Sequence, residues 1–181
     1  MLVTCIDVET TGLIKNRHAP LDKQPKVIEF CAMDVNLKTG KKAKPFDVFL
    51  NPGEKLEHVI TKITGITDDD LKVKTTFKNQ AAKIKKICAG SDKVKAIVAH
   101  NMTFDSDMID IELERLKMKV KWLRKICTIE QTMHLKGYRL NQQALHQELF
   151  EKKFVGAHRA SGDVHALADI CIELYKRGMI K

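Results

Sequence analysis

No apolar run in the sequence approaches the length of a membrane span, so no membrane-spanning segment is expected. Only six residues precede Asp7 and none forms a basic stretch, so no signal peptide is expected either. Internal repeats, low-complexity tracts and an interdomain linker are missing, and residues 1–181 are expected to fold as a single domain. Cysteine is odd in number and scattered, at Cys5, Cys31, Cys88, Cys127 and Cys171. No two are spaced for a zinc knuckle or a CxxC redox pair. Each falls in an apolar stretch and reads as a small buried hydrophobe, which suits a reducing, intracellular (cytoplasmic) setting. Arginine is scarce too, at six of 32 basic residues. That bias favours attraction to phosphate in general over bidentate reading of particular bases.

Among what is present, 44% of the residues are hydrophobic, in the ordinary globular range and enough for a sizeable core. The net charge of +9 suits a polyanionic partner, and it equally suits a solvated, lysine-rich surface. Three strands are expected first: Leu2 to Val8, Val27 to Val35 and Phe46 to Leu50. The turn from Leu37 to Gly40 makes the second and third a hairpin. A short helix is expected at Leu56 to Ile60, with a further helix cap at Thr67 or Asp68. From Phe77 the period becomes helical, with Phe77, Ala81, Ile84 and Cys88 on one stripe that ends at Gly90. Lys95 to Ala99 reads as a fourth strand, Phe104 to Met118 as a long helix, and Ile126 to Ile129 as a short strand. Asn141 is placed to cap a helix through Phe150, and Val164, Leu167, Cys171 and Leu174 mark the last helix. This order predicts an α/β domain: a mixed sheet with an antiparallel three-strand meander, joined to βα units, with helices on both faces.

The chemistry concentrates in acids at unusual positions. In CIDVETTG (residues 5–12), Asp7 and Glu9 lie two apart in an otherwise apolar strand, so both point to one face. Like charges there repel and lose hydration, and a bound cation is the simplest compensation. Asp105 starts a helix just after the fourth strand. Asp163 shares a helical face with Leu167, Ile170 and Leu174, which puts it on the core-facing side of a first turn. His158, in the preceding loop, is close enough to reach the same place. Either helix-start acid alone also fits a favourable interaction with the helix dipole. Together, the four carboxylates can converge at one edge of an α/β sheet. Four carboxylates suit two hard cations such as Mg²⁺ or Mn²⁺. Two such ions, about 3.5–4 Å apart, can hold an attacking water and a leaving oxygen around one phosphorus.

DVETTG, AHNMTFD and HRASGD, in that order, resemble the three exonuclease motifs of the DEDDh (DnaQ-like) superfamily. The resemblance runs from Met1 to about Lys176. The spacing of His158 and Asp163 resembles the histidine branch rather than the tyrosine branch. It implies an RNase H-like fold and two-metal 3′-to-5′ hydrolysis that releases nucleoside 5′-monophosphates. It further implies that Asp7 bridges two ions, that Glu9 and Asp163 complete one site, and that Asp105 supports the other. His158 would be the general base. Thr10, Thr11 and Gly12 would receive the 3′-terminal nucleotide, with Asn101 and Phe104 lining the substrate groove. Three departures stand out: a long loop from Leu13 to Lys26 with basic residues, Ser106 where an apolar residue is common, and Gly162, which is expected to loosen the helix start before Asp163. The preferred substrate is DNA with a free 3′ end, single-stranded or frayed, with RNA as the alternative. A DNA polymerase is a candidate partner, although no signature for one is evident. A non-catalytic nucleic-acid-binding module would lack one of the five site residues, and all five are present. A structural cation-binding protein would leave His158 unexplained.

Overall fold

The computed structural model describes residues 1–181. The apolar run at the N-terminus forms β1 (Leu2–Thr10), which reaches past Val8 so that Glu9 is still in the strand. It pairs antiparallel with β2 (Val27–Asn36), which pairs antiparallel with β3 (Phe46–Phe49). On its other side β1 pairs parallel with β4 (Ala96–Ala99), and β4 pairs parallel with β5 (Lys125–Cys127). The sheet order is β3-β2-β1-β4-β5, which is the expected meander joined to βα units.

Strand alternation divides the core in two. Val3 and Cys5 of β1 face α6 (Gln142–Phe150) and α7 (Ala160–Lys176) through residues such as Leu145, Val164, Leu167 and Cys171. Ile6 and Val8 face α3 (Phe77–Ala89) and α4 (Met102–Arg115), meeting Ile84, Met108, Ile109 and Leu113. The period-two row that begins at Val3 and Cys5 continues to Asp7 and Glu9, so these acids extend the α7 side of the sheet. All five cysteines are free and buried, as apolar fillers.

Local signals explain most boundaries. Thr67 caps α2 (Asp68–Leu71) in a reciprocal capping box with Asp70. The Asn141 side chain accepts from the Ala144 amide and starts α6. The first short helix falls at His58–Thr64 rather than at Leu56 to Ile60, and a left-handed Gly65 closes it. α4 begins at Met102, two residues before Phe104, because Asn101 turns the chain in with φ +77°. It stops at Arg115, before Met118, where Lys117 at φ +55° breaks the helix. The strand expected at Ile126 to Ile129 is corrected as well. It ends at Cys127, and α5 (Thr128–Lys136) follows at once. That helix buries only Thr128, Ile129 and Thr132 and has no side-chain cap, so its sequence carries little periodic signal. No helix is long and apolar enough to cross a membrane.

Candidate active site

β1 and β4 run parallel, and the carboxyl-terminal part of β1 and the start of α4 after β4 meet the start of α7 at one sheet edge. There one carboxylate oxygen from each of Asp7, Glu9 and Asp163 lies within 4.8 Å of the other two. Asp105 stands outside that trio but lines the same cleft of about 280 Å³, together with His158, Asn101 and Phe104. Phe104 also packs against the apolar cluster on the α4 side, so it is both wall and core.

The Thr10–Gly12 segment lies differently. Thr10 is buried, and its hydroxyl donates to the Gly12 carbonyl at 2.7 Å. The Thr11 amide donates to the Lys26 carbonyl at 2.8 Å, and its hydroxyl accepts from the Lys26 amide at 3.0 Å. Thr11 and Gly12 line a separate groove of about 780 Å³, with Leu13, Lys15, Val59 and Ile63 among its walls. The long loop from Leu13 to Lys26 is pinned to α4. Arg115 donates to the carbonyls of Leu21, Gln24 and Pro25, and Arg17 pairs with Glu114 at 2.6 Å.

The acids are poorly compensated. Burial, then the charges of Asp105, Asp163 and Glu9, hold the Asp7 carboxyl well above its usual range. Burial, with Asp163 and Glu29 nearby, pushes Glu9 up to about 8, with Arg159 opposing. Asp163 rises to about 6 through burial, although the His158 amide and the His158 charge pull it back. Asp105 is also held well up by burial, against support from its own amide and that of Val8. Four carboxyls that resist ionisation at one edge form an all-oxygen donor set with no soft ligand, which fits hard divalent cations.

The family model described as exonuclease matches residues 4–171. The chain belongs to the exonuclease family. The order of its three motifs agrees with that placement. The chain is 31% identical, over 94% of its length, to a PolC-type DNA polymerase III from Caldanaerobacter subterraneus subsp. tengcongensis, of which it spans 11%. It is 30% identical over 74% of its length to the DNA polymerase III subunit epsilon of Buchnera aphidicola subsp. Schizaphis graminum, of which it spans 54%. It thus covers about half or less of the curated relatives it matches. In fold it is similar to the nuclease domain of 3′hExo, a DEDDh family member bound to rAMP (TM-score 0.81, 18% identity, covering 98% of this chain and 93% of that one). Exonuclease X in complex with 5′ overhanging duplex DNA is a second such neighbour (TM-score 0.70, 22% identity, 97% and 93%).

This edge of the sheet also contains residues that the sequence alone does not single out. Glu29 of β2 sits opposite Glu9 in register and is fully buried, and Arg159 donates to it. An acid inside the apolar run VIEFCAMDV is the same signal that marked Asp7 and Glu9. Gln142 donates to the Asp163 carbonyl at 2.6 Å. His100 lines the cleft, and burial pushes it down to about 4, so it is neutral. Its Nε2 faces the Leu140 carbonyl at 3.1 Å and therefore carries the proton, which leaves Nδ1 to accept from the Thr128 hydroxyl at 2.8 Å. Gly162 is a further correction. A Cβ there would lie 2.1 Å from the Gly156 carbonyl oxygen, so the missing side chain admits the loop instead of loosening the helix.

Proposed function

We propose that this chain is a metal-dependent 3′-to-5′ exonuclease that trims DNA, of the proofreading or repair type. The observation that carries the reading is the convergence of Asp7, Glu9 and Asp163 within 4.8 Å, beside Asp105, all four held in a state that a cation would relieve. Glu9 and Asp163 would hold one Mg²⁺ or Mn²⁺ ion and Asp105 a second, with Asp7 shared between them. When bound, such ions neutralise the scissile phosphate and acidify water.

The chain's own residues do the rest. The His158 imidazole takes the proton of the attacking water. Hydrolysis releases a nucleoside 5′-monophosphate and leaves a new 3′-hydroxyl on the shortened strand. Asn101 and Phe104 line the cleft beside the terminal nucleotide, and the segment Thr10–Gly12 receives it from the neighbouring groove. The net charge of +9 draws in the phosphodiester backbone. Relatives that are DNA polymerase III chains or subunits support DNA as substrate, a polymerase as partner class and an intracellular setting.

The test is one gel. A 5′-labelled single-stranded DNA, a mismatched duplex, a matched RNA and a circular strand are incubated with Mg²⁺ or with excess chelator. A descending ladder on linear DNA, only with the metal, is the expected result. Undiminished cleavage in chelator would sink the metal reading, a cut circle the exonuclease reading, and faster loss of the RNA the DNA preference.

A further inference from the structure

The start of α7 is unusual in how its first amides are met. Its N-cap residue, Arg159, makes no side-chain capping bond. The amide of Ala160, the first helical residue, donates instead to Glu29 Oε2 at 3.2 Å, across 131 positions of sequence. The same carboxylate accepts from Arg159 Nε at 3.2 Å and from Nη2 at 3.4 Å. The Arg159 guanidinium also lies 4.8 Å from the centre of the Phe49 ring on β3. Glu29 is fully buried near the start of β2. Arg159 is 42% exposed, so Glu29 is the buried half of this pair, and a buried carboxylate is seldom kept for stability alone. What a carboxylate adds is direction: a fixed acceptor for one particular backbone amide.

That amide is two residues from His158. His158 holds a left-handed φ of +65°, an uncommon conformation for a residue with a side chain. On one side the His158 amide donates to Asp163 Oδ2 at 2.9 Å. On the other, Arg159 and Ala160 are anchored to Glu29. The His158 amide and the two residues after it are thereby tied.

We propose that Glu29 is a positioning residue for the reaction: it caps α7 from the neighbouring strand and thereby fixes where His158 meets the cleft. This rests on the reading of His158 as the general base. Glu29 itself touches neither substrate nor the reacting atoms. Its contribution is the placement of a group whose displacement by an ångström is worth about 10²-fold in rate.

The test is a cycle of four proteins: wild type, Glu29→Gln, His158→Ala and the double variant, each with kcat, KM and a pH profile on a 5′-labelled DNA strand in Mg²⁺. Glu29→Gln keeps the shape and one acceptor oxygen, so it folds even if Glu29→Ala does not. A melting curve and Mg²⁺ titration calorimetry report folding and metal binding separately. We expect Glu29→Gln to lower kcat by about 10–100-fold with KM within about twofold, to leave Mg²⁺ binding in place, and to shift or flatten the pH limb. Glu29→Asp should recover part of the loss. In the His158→Ala background the same change should have little further effect. A full effect in that background, or wild-type kcat and pH profile in Glu29→Gln, overturns the proposal. Near-normal turnover of His158→Ala alone instead overturns the reading of His158, and the single variant distinguishes the two failures.

Discussion

Two acids start two helices on opposite faces of the sheet, and they are held in different ways. Asp105, at the start of α4, is 3% exposed, and its carboxyl is supported by its own amide and that of Val8 on the adjacent strand. Ser106 beside it is also buried, donating to the Thr103 carbonyl and meeting Lys125 at 3.2 Å. Asp163, at the start of α7, is half-buried, and one of its oxygens is already engaged with the His158 amide. The chain before it is left-handed at His158 and closes against Gly162. The α4 acid is set in a finished wall, whereas the α7 acid is tied to the loop that carries His158. A change near α4 should therefore act on cation binding, and a change near α7 on cation binding and proton transfer together.

The largest effect should come from the residue that faces both starts. Asp7 feels the charges of Asp105, Asp163 and Glu9, so Asp7→Asn removes the group common to both sides. Turnover should fall by about 10³-fold or more, beyond the usual worth of one electrostatic contact. Calorimetry should show weakened Mg²⁺ binding. A loss no larger than that of Asp105→Asn would mean that the two sides work independently. His158→Ala comes next. It leaves all four carboxyls, so metal binding should persist while the rate drops by about 10²–10⁴-fold. The near-neutral limb of the pH profile should go with it, and a variant that keeps both rate and limb would make His158 a bystander.

Local chemistry was legible in the sequence, and contact across the chain was not. Asp7 and Glu9 share a face because alternation is a property of any strand, and the βα order after Ala99 put Asp105 at the same edge. Glu29 passed unnoticed because its partner, Arg159, is 130 positions away and neither residue is informative without the other. α5 was missed because it buries one face made mostly of threonine. The role of Gly162 is hidden from sequence for the same reason as that of Glu29: it is a contact with Gly156, which only the closed loop brings near.

Gly162→Ala turns that contact into a test of the α7 side alone. The new Cβ would sit 2.1 Å from the Gly156 carbonyl oxygen, and backbone must move. Overpacking of this kind costs about 1–3 kcal/mol. The displaced loop should lower turnover by about 10–100-fold. Mg²⁺ binding should change less, because Asp163 stays in its helix. Unchanged turnover would show that the loop tolerates a shift, and the two helix starts would then be equivalent.

The smallest effect is on stability in the absence of metal, and its sign is fixed by the direction of the shifts. A carboxyl held above its ordinary range in the folded chain keeps its proton there while the unfolded chain has lost it. The folded state therefore binds more protons between the two values, and stability must fall as pH rises through that window. For Asp163 the window runs from its ordinary 3.8 to about 6, and for Glu9 from 4.5 to about 8. In chelator, the melting temperature should thus fall between about pH 5 and about pH 8, against the usual behaviour of paired carboxylates. Both groups reach solvent, which screens the penalty to about 1 kcal/mol each, or roughly 2–4 °C in a chain of this size. Asp163→Asn should remove the lower part of the fall. Added Mg²⁺ should raise the melting temperature more at pH 8 than at pH 5, because binding needs the ionised carboxylates. A melting temperature that climbs with pH in chelator would mean that the chain already compensates these acids itself, and the contrast between the fixed and the tied helix start would lose its electrostatic basis.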